Sequence, residues 1–427
     1  MFAFPKIEEV TKDTTVVHFL LMFGYKLFSL YFPLFLVTRG LSLPEVGYTY
    51  LLIYLPLAIF SPVVGFLNHK ISPATTSSIG ILGYALYALG MIFIPATHPA
   101  GAALFYFWQI ILGISAAMFF VSARSILIAA PLENYDRAFG WFYSAPFYAD
   151  AIAPCIGAIF IWKFNFFGVF VFSFIVQVLT AIFCFSQLKK QEIKPLDRYF
   201  NLQKFQQSYA SAFQKIKNKT ILLPVLISFS ALLLTGFYRA FFILFLKESL
   251  NWSQNLILIL ISAFSLLFLP ISFLLIRQLG GFRSEKNIFQ GGLITGLFSI
   301  LFGILIPVLN FLAVLIIEIG KSAGSLIANA GRSGLITRVI AKGEDETLVS
   351  SPSQKLKDGP EEASVIDTIF APLGVALGAF ISGLLIGFLG YQFLFILAGV
   401  FLIAVIALTQ LAPLEVLGRK IKKFFLL

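Results

Sequence analysis

The chain has 427 residues, 59% of them hydrophobic and only 12% charged, with a mean hydropathy of +0.92. A soluble protein carries about 25% charged residues, so composition excludes a soluble enzyme and defines an integral membrane protein seated in a lipid bilayer. The net charge of +11 raises nucleic acid as a partner, but the basic residues sit in the connections between apolar runs, so topology is the better explanation and no nucleic-acid partner is expected.

The first 13 residues carry mixed charge and precede a span of about 23 residues, longer than the core of a cleaved signal. Apolar runs longer than 18 residues, without strict alternation, predict helices in preference to a β-barrel. Twelve spans follow, near 14–37, 44–67, 73–95, 101–128, 138–161, 166–187, 221–246, 254–276, 287–308, 311–335, 363–388 and 391–411. The fold class is therefore an all-α membrane protein of twelve transmembrane helices in two pseudo-symmetric six-helix bundles. Residues 1–187 form the first bundle, 188–220 a linker and 221–427 the second bundle. Counting Lys and Arg by side gives 23 on the side of the termini and three (Arg39, Lys163, Lys247) opposite. That asymmetry places both ends and the linker in the cytoplasm.

In the linker, Leu202, Phe205, Tyr209, Phe213 and Ile216 recur at helical spacing opposite Lys204, Gln207, Lys215 and Lys217. This pattern fits a basic amphipathic helix lying on the anionic inner leaflet, with a solvated linker as the alternative. The polar segment 342–360 lacks periodicity and reads as a mobile cytoplasmic loop. Cys155 and Cys184 lie inside apolar spans without CxxC spacing and read as small core residues.

The tenth span carries the most polar face. Glu318, Ser322, Ser325, Asn329 and Arg332 fall within one ~80° arc of a helix, with Lys321 at its edge. At ~1.5 Å per residue the stripe is roughly 21 Å long, most of the hydrocarbon depth. Two cations and an anion facing lipid would cost several kcal/mol, so this face must meet protein or water. It reads as one wall of an aqueous pathway.

The two halves repeat. Gly24-Tyr25-Lys26 corresponds to Phe237-Tyr238-Arg239, Arg124-Ser125 to Arg332-Ser333 and Ala153-Pro154 to Ala371-Pro372, with Asp150 and Asp367 shortly before those prolines. Internal repeats with binding groups near the midplane are the architecture of many secondary transporters.

The 6+6 layout, the turn Gly65-Phe66-Leu67-Asn68-His69-Lys70 and the segment Ala149-x3-Ala153-Pro154-x2-Gly157-Ala158 together resemble the major facilitator superfamily over nearly the whole chain. The chain departs from the family pattern at His69, where an acidic residue is usual, and at Gln109, where an intramembrane arginine is expected. Alanines also replace several glycines of the fifth-span segment. The resemblance implies a transporter and no enzyme, with the first, fourth, seventh and tenth spans lining a central cavity. It implies a substrate site at Lys26, Arg239, Glu318, Lys321, Ser322, Ser325 and Asn329, with Tyr25, Tyr238 and Gln109 beside them. The charged members sum to about two positive charges, favouring an organic anion or phosphorylated compound. The alternative pairs Glu318 with Lys321 and leaves Lys26 snorkelling or deprotonated. Proton coupling falls to Asp150, Glu318 or Asp367, of which Asp150 has no cation nearby in sequence. Asp150 could equally be tied down in a helix contact. Arg124, Arg332 and Asp367 read as gate groups, with positive-inside anchoring as the alternative for Arg124.

Prolines 33, 56, 62, 146, 154, 270 and 372 are candidate bend points, and Gly374, Gly378, Gly383 and Gly387 candidate close-packing positions. Gly320-Lys321-Ser322 lacks the leading Gly of a phosphate loop, and Gly320-x-Ser322-x-Gly324 lies within a span with no base among His18, His69 and His98. No metal spacing or cofactor motif occurs, and a monomer is expected. The leading expectation is a secondary transporter, proton-coupled, of a small polar solute. The alternatives are an exporter of amphipathic compounds and a non-transporting sensor.

Overall fold

The computed structural model describes residues 6–424 apart from 39, 95–99, 192–200, 218, 280–282 and 343–358, so most of the 342–360 insertion lies outside the described residues. Helices α1 (Glu9–Ser29) and α2 (Phe32–Thr38) together form the first span. Then come α3 (Leu43–Lys70), α4 (Pro73–Ile92), α5 (Ala100–Ala129) and α6 (Tyr135–Leu188). The linker helix is α7 (Leu202–Ile216). The second half holds α8 (Lys219–Glu248), α9 (Gln254–Leu279), α10 (Ser284–Leu305), α11 (Phe311–Thr337) and α12 (Pro360–Phe424). No strand occurs among the described residues.

Among the described residues, nine helical segments are long and apolar enough to cross a bilayer. Two of these fold back on themselves, α6 at Asn165 (φ 55°) and α12 at Gly390 (φ 67°). Each turn rests on one left-handed residue of a type that tolerates it, which explains why the sequence left so few residues between the paired spans. Each of these helices therefore supplies two spans. With the broken first span they complete the two sets of six. The break between α1 and α2 has a local cause: Pro33 lacks an N–H and its ring conflicts with the carbonyl four residues back, at Ser29, where α1 stops. Pro56, Pro62, Pro146, Pro154 and Pro270 remain inside continuous helices.

The halves pack alike. α1 lies on α6 and α4 on α5 and α6; in the second half α8 lies on α12 and α10 on α11 and α12. Between halves, α3 meets α12 and α6 meets α9 and α11. Several crossings depend on glycine, two of them between corresponding helices of the halves. A Cβ at Gly157 would lie 1.8 Å from the Leu27 carbonyl oxygen of α1, and one at Gly378 would lie 1.9 Å from the Leu233 carbonyl oxygen of α8. Gly374 and Gly383 also sit against neighbouring helices, whereas Gly387, expected to do the same, faces open space. Because backbone cannot yield as a side chain does, Gly378→Ala should cost about 1–3 kcal/mol and lower the melting temperature of the detergent-solubilised protein. Gly387→Ala should leave it unchanged. Equal behaviour of the two variants would contradict this packing.

α7 is capped by Asn201, whose Oδ1 accepts from the Lys204 amide at 2.9 Å. Its apolar face is divided, an amendment to the leaflet-bound helix expected from sequence. Tyr209, Ala212 and Ile216 are buried against the protein, with Phe205 on Phe66, while Leu202 and Phe213 stay exposed. Cys184 is buried as expected, but Cys155 is exposed, with Sγ 2.9 Å from Ser262 Oγ of α9.

Candidate functional site

At the end of the molecule that carries the termini, the two halves are locked by a buried polar network. Asp367, near the start of α12, is at its centre and is 2% exposed. Arg332 of α11, 1% exposed, donates from Nε to Asp367 Oδ1 at 2.7 Å. Its Nη1 reaches Asn329 Oδ1 at 2.8 Å and Ser228 Oγ at 3.1 Å. From the other half, Arg124 of α5 lies 3.1 Å from Asp367 Oδ2 and donates to Thr368 Oγ1 at 3.0 Å. Tyr143 of α6 brings its hydroxyl 2.6 Å from Ser333 Oγ and 3.1 Å from Asp367 Oδ2. Ser333 itself donates to Asp367 Oδ2 at 2.6 Å. One carboxylate thus holds two guanidiniums from opposite halves, away from water.

A second tie lies beside it. Asp136, in the first turn of α6, accepts from Ser284 Oγ at 2.6 Å and from Asn287 Nδ2 at 2.8 Å, both at the start of α10. Ser364 of α12 donates to the Val121 carbonyl of α5 at 2.7 Å. Tyr143, Ser333, Thr368 and Asp136 were not singled out as gate residues from sequence. Their partners lie 148 to 244 positions away in most cases, and only the Arg124–Arg332 repeat pointed to this region.

Deeper in, the expected binding residues separate into three groups. Lys26 of α1 and Asp150 of α6 form an ion pair at 2.9 Å, with side chains 26% and 17% exposed. Sequence gave Asp150 no cation; the fold supplies one from a helix 124 positions earlier. Glu318 and Lys321 pair at 2.5 Å within α11, and the Lys321 ammonium sits 2.9 Å from the centroid of the Tyr238 ring and 5.2 Å from that of Phe242. Tyr238 thus covers a cation. Ser322 is buried, while Ser325 and Asn329 are half-buried and bonded to each other at 3.2 Å.

Arg239 of α8 is different. Its guanidinium donates to Tyr54 OH at 2.6 Å and its backbone carbonyl accepts from Tyr50 OH at 3.0 Å, both on α3 of the other half. The side chain is nevertheless exposed. Tyr25 packs edge-on against Tyr84 at 5.7 Å and lies within electrostatic reach of the Arg239 charge. Among the described residues, Lys26, Arg124, Lys321 and Arg332 each have a carboxylate partner and Arg239 has none. With Asp150 counted, the formal charge of the region falls from the expected two positives to one, and Arg239 carries it.

Gln109 does not join these groups. It is fully buried within the first half and donates to Tyr87 OH at 2.9 Å. Expected beside the substrate, it is instead packed inside the first half: its Nε2 is taken up by a neighbouring phenol on α4, and its Oε1 is buried with no hydrogen-bond partner among the described residues.

A multi-span helical chain with two pseudo-repeated halves, a polar centre and a buried ionic network joining the halves at one end has the architecture of a membrane transporter. The sequence profile of the Major Facilitator Superfamily matches residues 14–344, and the chain belongs to that family. Two of the solved structures that share its fold are transporters. One is the human organic anion transporter MFSD10 (TETRAN), 14% identical, with a TM-score of 0.65 over 93% of this chain and 99% of that one. The other is the proton:xylose symporter XylE bound to 6-bromo-6-deoxy-D-glucose, 12% identical, with a TM-score of 0.66 over 93% of this chain and 94% of that one. No curated protein sequence matches it.

Proposed function

We propose that the protein is a secondary transporter of a small organic anion, with Arg239 as the anion anchor, working by alternating access. The observation that carries this reading is the exposed guanidinium of Arg239, held by phenols alone while every other cation inside the spans has its carboxylate among the described residues. A guanidinium in a partly dry cavity binds a carboxylate or phosphate through two parallel bonds. Tyr25 and Tyr54 offer rings for the remainder of the substrate, which favours an organic anion over an inorganic one. The likeness to an organic anion transporter is one of fold, and the reading rests on Arg239. The lysine and arginine asymmetry puts the locked end in the cytoplasm of a cell whose bounding membrane the chain spans, so the gate is closed on the inside.

Coupling to protons is assigned to the Lys26–Asp150 pair. It joins α1 to α6, is partly open to the cavity, and is a balanced unit that one proton would unbalance. Asp367 is better accounted for as a gate, since two arginines and a serine engage it. Asp150→Asn, reconstituted in proteoliposomes with an imposed pH gradient, should lose accumulation of the anion above equilibrium while retaining exchange. Full concentrative uptake by this variant would remove Asp150 from the coupling step.

A further inference from the structure

At the seam between the halves, on the side of the termini, three residues far apart in sequence converge. His69 is at the last turn of α3, and Glu361 and Glu362 are in the first turn of α12. One ligand atom of each lies within 4.8 Å of the others, and all three side chains are buried. The His69 ring is 4.0 Å from Glu362 Oε1, which also accepts from Ser208 Oγ of α7. Burying adjacent carboxylates is costly unless positive charge compensates them.

Two atoms are unsatisfied there. Glu362 Oε2 is buried with no hydrogen-bond partner among the described residues. The Tyr209 hydroxyl of α7 is likewise buried and unpartnered, and lies within electrostatic reach of the same carboxylates. An imidazole and two carboxylates match the donor set of a Zn²⁺-type ion, neutralise its charge, and leave room for a phenol or water as a fourth ligand. Bonds of about 2.0–2.2 Å would draw the three donors to roughly 3.4 Å apart in a tetrahedral shell, within reach of small side-chain rotations.

We propose that His69, Glu361 and Glu362 form a binding site for a divalent transition-metal ion, with Zn²⁺ the best fit, that clips α3 of the first half to α12 of the second. The linker helix lies over the site through Ser208 and Tyr209, so an ion there would hold the closed end shut and couple the linker to the gate. The site is independent of the substrate cavity, and its test does not rest on the transport reading.

The experiment uses the full chain in detergent, stripped with a chelator and titrated calorimetrically with ZnCl₂ alone. One equivalent per chain is expected, with binding weakened at least tenfold in His69→Asn and in Glu362→Gln, and with Mg²⁺ failing to compete. Each variant is first checked for a monodisperse elution profile. A reading on the unaltered chain needs no variant: Zn²⁺ should raise its melting temperature, and chelator should reverse the rise. No saturable Zn²⁺ binding to the unaltered chain, or undiminished affinity in both variants, would overturn the proposal.

Discussion

Replacing Asp367 by asparagine is expected to unlock the gated end of the molecule and abolish concentrative transport. The carboxylate faces Arg332 at 2.7 Å and Arg124 at 3.1 Å, and all three side chains are almost fully buried. Removing one partner of a buried ion pair costs about 3–5 kcal/mol, because the remaining charge keeps its desolvation penalty and loses its compensation. Alternate conformers of a transporter differ by only a few kcal/mol, so a loss of this size is enough to invert their populations. Ser364, buried with its hydroxyl on the Val121 carbonyl across the seam, is a suitable reporter. In a background without Cys155 and Cys184, Ser364→Cys should be protected from a polar maleimide and become labelled when Asp367→Asn is added. Adding Arg124→Gln to that background should restore part of the protection, since it removes one of the stranded cations. Unchanged protection in Asp367→Asn would show that the network does not hold the gate.

The second large effect concerns Arg239. Its exposure argues for the lower range of charge-assisted interactions, about 1.5–3 kcal/mol, or roughly 10- to 150-fold in affinity. Arg239→Ala should lose that factor for carboxylated or phosphorylated ligands and keep its affinity for neutral analogues. Arg239→Lys should fall between, since it keeps the charge and loses the planar fork. Tyr54→Phe, which removes the phenol 2.6 Å from the guanidinium, should weaken the anion by less than Arg239→Ala does. Equal loss of anion and neutral analogue in Arg239→Ala would leave this residue a packing role only.

Several features were legible from residues alone because they are local or periodic. The spans follow from hydropathy, the break at the first span from Pro33, and the polar face of α11 from helical spacing. The pairing of Glu318 with Lys321 follows from their separation of three residues, though sequence left it open as an alternative to binding. Other features depend on contacts between helices, which no local pattern encodes. Sequence put Asp150 without a cation, and packing α1 on α6 gave it Lys26. Sequence put Gln109 at the position of a family arginine, and the packing of α5 on α4 buried it against Tyr87.

Sequence by itself determined that the chain spans a bilayer in two related halves, since apolar length and lysine and arginine asymmetry are one-dimensional properties that the membrane reads directly. It also marked Arg124 and Arg332 as equivalent and Arg239 as the counterpart of Lys26. Tertiary structure decided which charges cancel. Only when the halves meet do Arg124 and Arg332 share Asp367, and only then does Arg239 stand without a carboxylate among the described residues. Pairing is fixed by distances of 3–4 Å between side chains on different helices, and at that scale separation along the chain carries no information.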